Sequence, residues 1–286
     1  MNVAKMRRFV REFDPDAVIC THYVAADVLA HMRRRGRLRA PVTVVITDYD
    51  IHTMWVQAGV DRYCVATEEM AHALHAKGIG EAAVQVTGIP IMPVFAESYP
   101  ERPVMRRRLG LNPDRVTVMV SAGGFGMVKL DRVVKILSEE IREAQFLAMA
   151  GGNRSLLESV RRVGESCDGR VAPFPFVDNM HELMAASDLI VTKPGGLTSS
   201  ECLAMGLPMV IVQPIPGQEE RNADFLLESG VAVKANSLAQ LAFKVRRLLD
   251  QPERLESMRA TARAVARPNA AADIAEAVVS GGVEQG

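Results

Sequence analysis

The stretch "VTKPGGLTSSECLAMGLPMVIVQPIPGQEERNADFL", from Val191 to Leu226, decides the fold. An apolar run turns through Lys193-Pro194-Gly195-Gly196 into a helical segment. A second apolar run, from Pro208, turns through Gly217 into another. Short apolar strands alternating with helices build a parallel sheet that is covered on both faces. A core needs the apolar residues. It does not need two adjacent glycines, a glutamate inside the helix they open, or the polar group Gln218, Glu219, Glu220, Arg221 and Asn222.

The same alternation extends in both directions. "VTVMVSA", "QFLAMAG", "VAPFPF", "DLIVTK", "PMVIVQP" and "VAVKA" are strand candidates in the second part, and "AVICTH", "VTVVITD", "RYCVAT" and "AVQVTG" in the first. Amphipathic segments such as "VAADVLAHMRRR" and "EEMAHALHAK" lie between them, the latter stopped by Gly78. "GIPIMPVFAESYPERP" carries four prolines and no periodicity, which sets an expected domain boundary near residue 96. The expectation is an α/β chain of two doubly wound domains, residues 1–96 and 97–286. The second would include a helical tail from Ser237 to Val279, broken at Pro252 and Pro268. Such sheets bind ligands at the carboxyl ends of their strands.

Lys+Arg and Asp+Glu both number 34 in 286 residues, so overall charge selects no partner, and no nucleic-acid role is expected. Basic residues do cluster: "RRRGRLR", Arg33 to Arg39, holds five arginines in seven positions. A solvated helix end accounts for it; an anionic lipid surface is the sharper alternative. The four cysteines lack metal-ligand spacing, and Cys20, Cys64 and Cys202 sit in or next to apolar runs as small hydrophobes do. No apolar run reaches the roughly 18 residues of a membrane span, and no signal peptide begins the chain. The expected location is cytoplasmic, with any membrane contact peripheral.

Three loops of the second part, and one of the first, invite chemistry. "GGFGMVKL", Gly123 to Leu130, follows a strand and opens a helix, where glycines let backbone N–H groups approach an anion. It is not a dinucleotide fingerprint, because the third glycine position is Lys129. "KPGGLTSSE" brings a second helix start to the same sheet edge, with Thr198 or Ser199 as candidate cap and Glu201 expected in the first turn. A carboxylate there can accept two hydrogen bonds from a ribose diol. It also suits the helix dipole, as any first-turn acid does. "PGQEERN" adds Gln218, Glu219 and Asn222, mixed donors and acceptors of the kind sugar hydroxyls require. In the first half, "TDYDIHTMW" holds the single Trp. Its Asp48 and His52 are candidates for an acceptor-side group, although a buried, hydrogen-bonded His is an equal account. Its Asp-x-Asp spacing arises too cheaply to predict a metal.

These residues together resemble the donor region of the glycolipid-forming GT-B glycosyltransferases, the monogalactosyldiacylglycerol synthases and processive diacylglycerol glucosyltransferases. The peptidoglycan lipid-intermediate N-acetylglucosaminyltransferase is more distantly similar. "TDYDIHTMW", "VDRYCVATEEM" and "VTGIPIMPVF" resemble the first group in the same order, and the likeness runs from Met1 to about Val279. The resemblance implies two Rossmann-like domains facing a cleft and a UDP-sugar as donor substrate. It also implies a lipid acceptor such as diacylglycerol, inversion at the anomeric carbon, and no metal or other cofactor. On it, Glu201 would bind the ribose, and Phe176 and Val177 the uracil through their backbone. Gly123, Gly124, Phe125, Gly195, Gly196 and Thr198 would surround the diphosphate with Lys193 nearby. Gln218, Glu219 and Asn222 would read the sugar. The family's glycine-rich loop with its histidine base has no counterpart here, which implies an incomplete N-terminal domain lacking roughly 100 residues, a small domain's worth. The base is then unassigned, and the rival expectation is a UDP-sugar-binding half-enzyme that needs a partner chain.

Overall fold

A computed structural model describes residues 3–121 and 129–283. Its contacts divide the chain into two units, Met1–Pro93 with Arg267–Gly286, and Val94–Ala266.

In the first unit, β1 (Val18–Cys20), β2 (Val42–Val45), β3 (Arg62–Val65) and β4 (Val84–Val86) pair in parallel in the order β1-β2-β3-β4. All four residues of β2 are buried, as befits a strand covered on both faces. The helices α1 (Val3–Phe13), α2 (Tyr23–Arg34) and α3 (Glu68–Ala76) accompany this sheet. Thr67 caps α3 by accepting the Met70 N–H at 3.2 Å. The helix ends where Gly78 takes φ +86° and its N–H reaches the His75 carbonyl, the left-handed stop that glycine permits.

The second unit carries β5 (Thr117–Ser121), β6 (Gln145–Gly151), β7 (Val171–Pro175), β8 (Leu189–Thr192), β9 (Met209–Val212) and β10 (Ala232–Ala235). They form a six-stranded parallel sheet in the order β10-β9-β8-β5-β6-β7. Its helices are α4 (Arg102–Arg108), α5 (Leu130–Glu140), α6 (Arg154–Glu165), α7 (Met180–Ala186), α8 (Gly196–Met205), α9 (Gln218–Glu228), α10 (Leu238–Leu249) and α11 (Pro252–Val265). Strand order reverses between β5 and β8, so the ligand-binding switch point of a doubly wound sheet lies at their carboxyl ends. Val118, Val134, Phe146, Val191 and Val210 are fully buried in one core. At the opposite edge, the carboxylate of Asp188 accepts the Thr117 N–H at 2.8 Å and is ion-paired with Arg102, Arg106 and Arg259.

The last helix, α12 (Ala270–Val283), corrects the expected organisation. The sequence places the whole tail in the second domain, but from Arg267 onward it groups with the first unit. Ile274 packs with Val45 and Cys64, covering β2 and β3. Gly88, at φ +94°, permits the approach: a Cβ there would lie 2.5 Å from that of Arg267. Helical periodicity marks the tail as amphipathic but does not say which sheet its apolar face will cover.

Candidate functional site

The loops after β5, β8 and β9 leave neighbouring strands at one edge of the second sheet, since β8 pairs with both β5 and β9. Gly123, Gly124 and Phe125 lie outside the described residues. On either side of the switch point the backbone is held in unusual conformations. Lys129, at the start of α5, has φ +76°, and Gln213, directly after β9, has φ +44°. Neither side chain favours the left-handed region, and such strain gathers at ligand sites.

The loop after β8 differs from its expected form. Gly195, not Thr198 or Ser199, is the N-cap of α8, and it makes no side-chain cap hydrogen bond. Thr198 and Ser199 lie inside the helix, and the first backbone N–H groups of α8 therefore point out of the helix end without a capping side chain. Gly195 itself has φ −69° and ψ 141°, which any residue adopts, and an added Cβ would meet nothing within 4 Å among the described residues. Neither backbone strain nor protein packing explains its missing side chain. Ser199 is fully buried, and its Oγ has no hydrogen-bond partner among the described residues. Lys193 is half-buried at the start of the turn.

Glu201 stands in the second turn of α8, not the first. Burial pushes its carboxyl up from 4.5 to about 7, and a helix N-terminus one turn further away offers little relief, because the dipole's effect fades within the first turn. In the next loop, Gly217 (φ +97°) caps α9. The carboxylate of Glu219 accepts the Ile215 N–H at 2.6 Å, and that of Glu220 accepts the Gly217 N–H at 3.3 Å. Glu219 thus braces its own loop with one carboxylate oxygen. Gln218 is exposed, whereas Asn222 is fully buried and presents no surface to solvent. Phe176 is 74% exposed just beyond β7, and Val177 beside it is half-buried.

In the first unit, a cluster forms at the carboxyl ends of β1 and β2. His52 and Trp55 meet two residues that sequence reasoning passed over, His22 and Tyr23. The Tyr23 ring stacks on His22 at 4.6 Å and lies edge-on to His52 at 5.1 Å and Trp55 at 5.9 Å. Trp55 is 2% exposed, and its Nε1–H has no partner among the described residues. Nδ1 of His22 caps α2 by accepting the Val24 N–H at 3.2 Å. The proton of the neutral ring therefore sits on Nε2, which makes His22 a hydrogen-bond donor. "THY" directly after a strand was the available signal. Asp48 lies in the same loop as His52.

Arg33 is not a free surface charge: its guanidinium meets Asp61 at 3.2 Å and donates to the Arg39 carbonyl. All four cysteines are buried as free thiols, and burial lifts Cys20 and Cys64 to about 11. Among the described residues, no three His, Cys, Asp or Glu side chains gather as metal ligands, and no helix is long and apolar enough to cross a membrane.

Residues 1–91 match the family described as monogalactosyldiacylglycerol (MGDG) synthase, and residues 117–278 match the glycosyltransferase family 28 C-terminal domain. The chain is 32% identical over 262 residues to the processive diacylglycerol beta-glucosyltransferase of Bacillus subtilis (strain 168), covering 91% of this chain and 67% of that protein. It is 30% identical over 282 residues to the same-named protein of Bacillus pumilus, covering 98% and 72%. Among solved structures, MurG of Acinetobacter baumannii shares the fold with a TM-score of 0.73 at 17% identity, over 97% of this chain and 77% of that one. The Anabaena protein HepE, solved in complex with UDP, aligns with a TM-score of 0.64 at 18% identity, over 97% and 82%. The two parallel sheets are those of a GT-B glycosyltransferase, and the chain belongs to the glycosyltransferase family that joins an MGDG-synthase domain to a family 28 C-terminal domain.

Proposed function

We propose that this glycosyltransferase moves a hexose from a UDP-sugar to the hydroxyl of a lipid acceptor, diacylglycerol or a glycosylated form of it. The names of the relatives support that acceptor and favour glucose. The observation that carries the donor half is Gly195. It starts a helix with uncapped N–H groups at the sheet's switch point, and no described protein atom occupies the place of its side chain. A diphosphate suits that position, since backbone donors and the positive end of α8 both face it. Gly196, Thr198 and Lys193 would complete the phosphate contacts. Glu201 would accept from the ribose hydroxyls, the Phe176 and Val177 backbone would hold the uracil, and Gln218 and Glu219 would meet the sugar. Asn222, being buried, would act by holding α9 in place.

In the reaction, the acceptor oxygen loses its proton to a general base and attacks the anomeric carbon with inversion. The bond from that carbon to the diphosphate breaks, and UDP leaves with the electron pair. Helix-end donors stabilise the charge developing on UDP without a metal. His22, His52 and Tyr23, which cluster in the first unit, would orient the acceptor. Nε2–H of His22 would donate to an acceptor oxygen, a role distinct from that of the base. Peripheral contact with an anionic membrane surface belongs to the same reading, because the acceptor resides in lipid.

Gly195→Ala tests the donor half. The backbone accepts alanine and the site has room for it, so the variant should melt within a few degrees of the parent. Its UDP affinity, measured by calorimetric titration, should fall at least about tenfold, because the methyl group intrudes on the phosphate. Unchanged UDP binding would remove the helix start of α8 from the site.

A further inference from the structure

In the first unit, α1 and α2 border a cavity of about 250 Å³, lined by Ala4, Arg7, Arg11, His31, Met32 and Arg37. Arg7 and Arg11 are four residues apart on one face of α1, His31 is in the last turn of α2, and Arg37 lies just beyond it. No wall residue is acidic. Nearby arginines find carboxylates: Arg8 pairs with Glu12 at 2.7 Å, and Arg33 with Asp61 at 3.2 Å. Arg7, Arg11 and Arg37 make no side-chain hydrogen bond or ion pair among the described residues. The negative end of α2 accounts for cations at its own C-terminus. It does not account for two arginines that a different helix turns toward the same space. Three like charges around one cavity repel each other unless an anion joins them.

We infer that this cavity binds a phosphate-bearing anion, gripped by the guanidinium groups of Arg7, Arg11 and Arg37. Guanidinium forks match phosphate oxygens in pairs, and phosphate is the anion that draws most on several arginines at once. The volume exceeds that of a few waters, at roughly 30 Å³ each, so a phosphate ester with a short organic part fits. The ester could be a free metabolite or a lipid headgroup. Phe9 and Phe13, 63% and 69% exposed with rings 5.8 Å apart, occupy a different face of α1 from residues 4, 7 and 11. They therefore separate the two sources experimentally.

The experiment uses the full chain and three variants: the double variant Arg7→Gln/Arg11→Gln, the same-helix control Arg8→Gln, and Phe9→Ser/Phe13→Ser. Each is first shown to retain the parent's circular dichroism. Glycerol 3-phosphate is titrated calorimetrically, and sedimentation is followed with phosphatidylglycerol and phosphatidylcholine vesicles. The double variant should weaken one or both anionic probes by about tenfold or more, with Arg8→Gln near the parent. Loss for glycerol 3-phosphate alone identifies a free ester. Loss for phosphatidylglycerol vesicles, deepened by the phenylalanine variant, identifies a headgroup. Equal loss in Arg8→Gln, or parent-like binding of both probes by the double variant, overturns the site. The readout does not involve UDP, so it stands or falls separately from the donor reading.

Discussion

Replacing Glu201 by glutamine removes an ionisable group whose burial the fold tolerates at a cost. The folded-state pKa, about 7, lies above the unfolded value of 4.5, so the folded chain holds the proton more tightly in that interval. The stability contributed by the protonated carboxyl is complete below about 4.5 and is lost as pH rises through about 7. At about 1.4 kcal/mol per pH unit, ionisation at pH 8 costs on the order of 3 kcal/mol. Glutamine never ionises. Glu201→Gln should therefore be more stable than the parent at pH 8, by up to about 3 kcal/mol, or roughly 6–12 °C in melting temperature for a domain of this size. At pH 5 the advantage should shrink to under about 1 kcal/mol. Ligand binding should move the other way. Two ribose hydroxyls donating to the carboxylate favour its ionised form, so the parent's UDP affinity should fall as pH drops below about 7. The variant should bind UDP at least about tenfold more weakly at pH 8, since a hydrogen bond to a charged group contributes roughly 1.5–3 kcal/mol. Thermal unfolding from pH 5 to 8 and calorimetric UDP titration over the same range supply both readouts. Comparing the two proteins cancels the titration of UDP's own phosphate. A variant no more stable at pH 8, yet binding UDP as the parent does, would refute the reasoning.

Removing the Asp188 carboxylate with Asp188→Ala strands Arg106 and Arg259, both about 6–7% exposed, without their shared counter-charge. The expected loss is about 3–5 kcal/mol in denaturant unfolding. UDP affinity of the folded fraction should be unchanged, because Asp188 lies at the opposite edge of the sheet. Gly88→Ala forces a Cβ to 2.5 Å from that of Arg267 at a positive φ, which should lower the melting temperature and speed proteolysis of the segment around α12. His22→Asn keeps a good N-cap for α2 and deletes the Nε2–H donor. It should raise KM for the acceptor, or lower kcat, while KM for the UDP-sugar and the melting temperature stay near the parent's.

The ten strand segments were legible because buried parallel strands are continuous runs of Val, Ile and Leu, and glycine turns mark where each sheet edge must bind. The runs ending at Cys20, Val45, Ser121, Thr192 and Val212 all occur as strands. The start of α8 was less legible. Thr198 and Ser199 are good capping types, but the helix begins at Gly196, three residues before Ser199, so the hydroxyls fall inside it. That shift also moved Glu201 from the first turn, where the dipole would hold it ionised, to the second, where burial governs. The functional reading changes with it, from a fixed carboxylate to one whose charge a ligand can set.

What sequence order hides most is contact between distant segments, and here that hidden part includes a candidate acceptor group. His22 and Tyr23 precede His52 and Trp55 by about thirty residues, and only the parallel pairing of β1 with β2 brings their loops to one edge. Once β1 pairs with β2, an isolated "TDYDIHTMW" becomes half of an aromatic cluster. The hydrogen bond to Nδ1 then assigns His22 a tautomer that no spacing rule could supply. That bond also limits the chemistry. A ring whose Nδ1 is occupied as a cap can offer Nε2–H to an acceptor oxygen, but it cannot take that oxygen's proton without first giving up the start of α2. A general base for the transfer must therefore be a different group, and His22→Asn separates the two roles by preserving the cap alone.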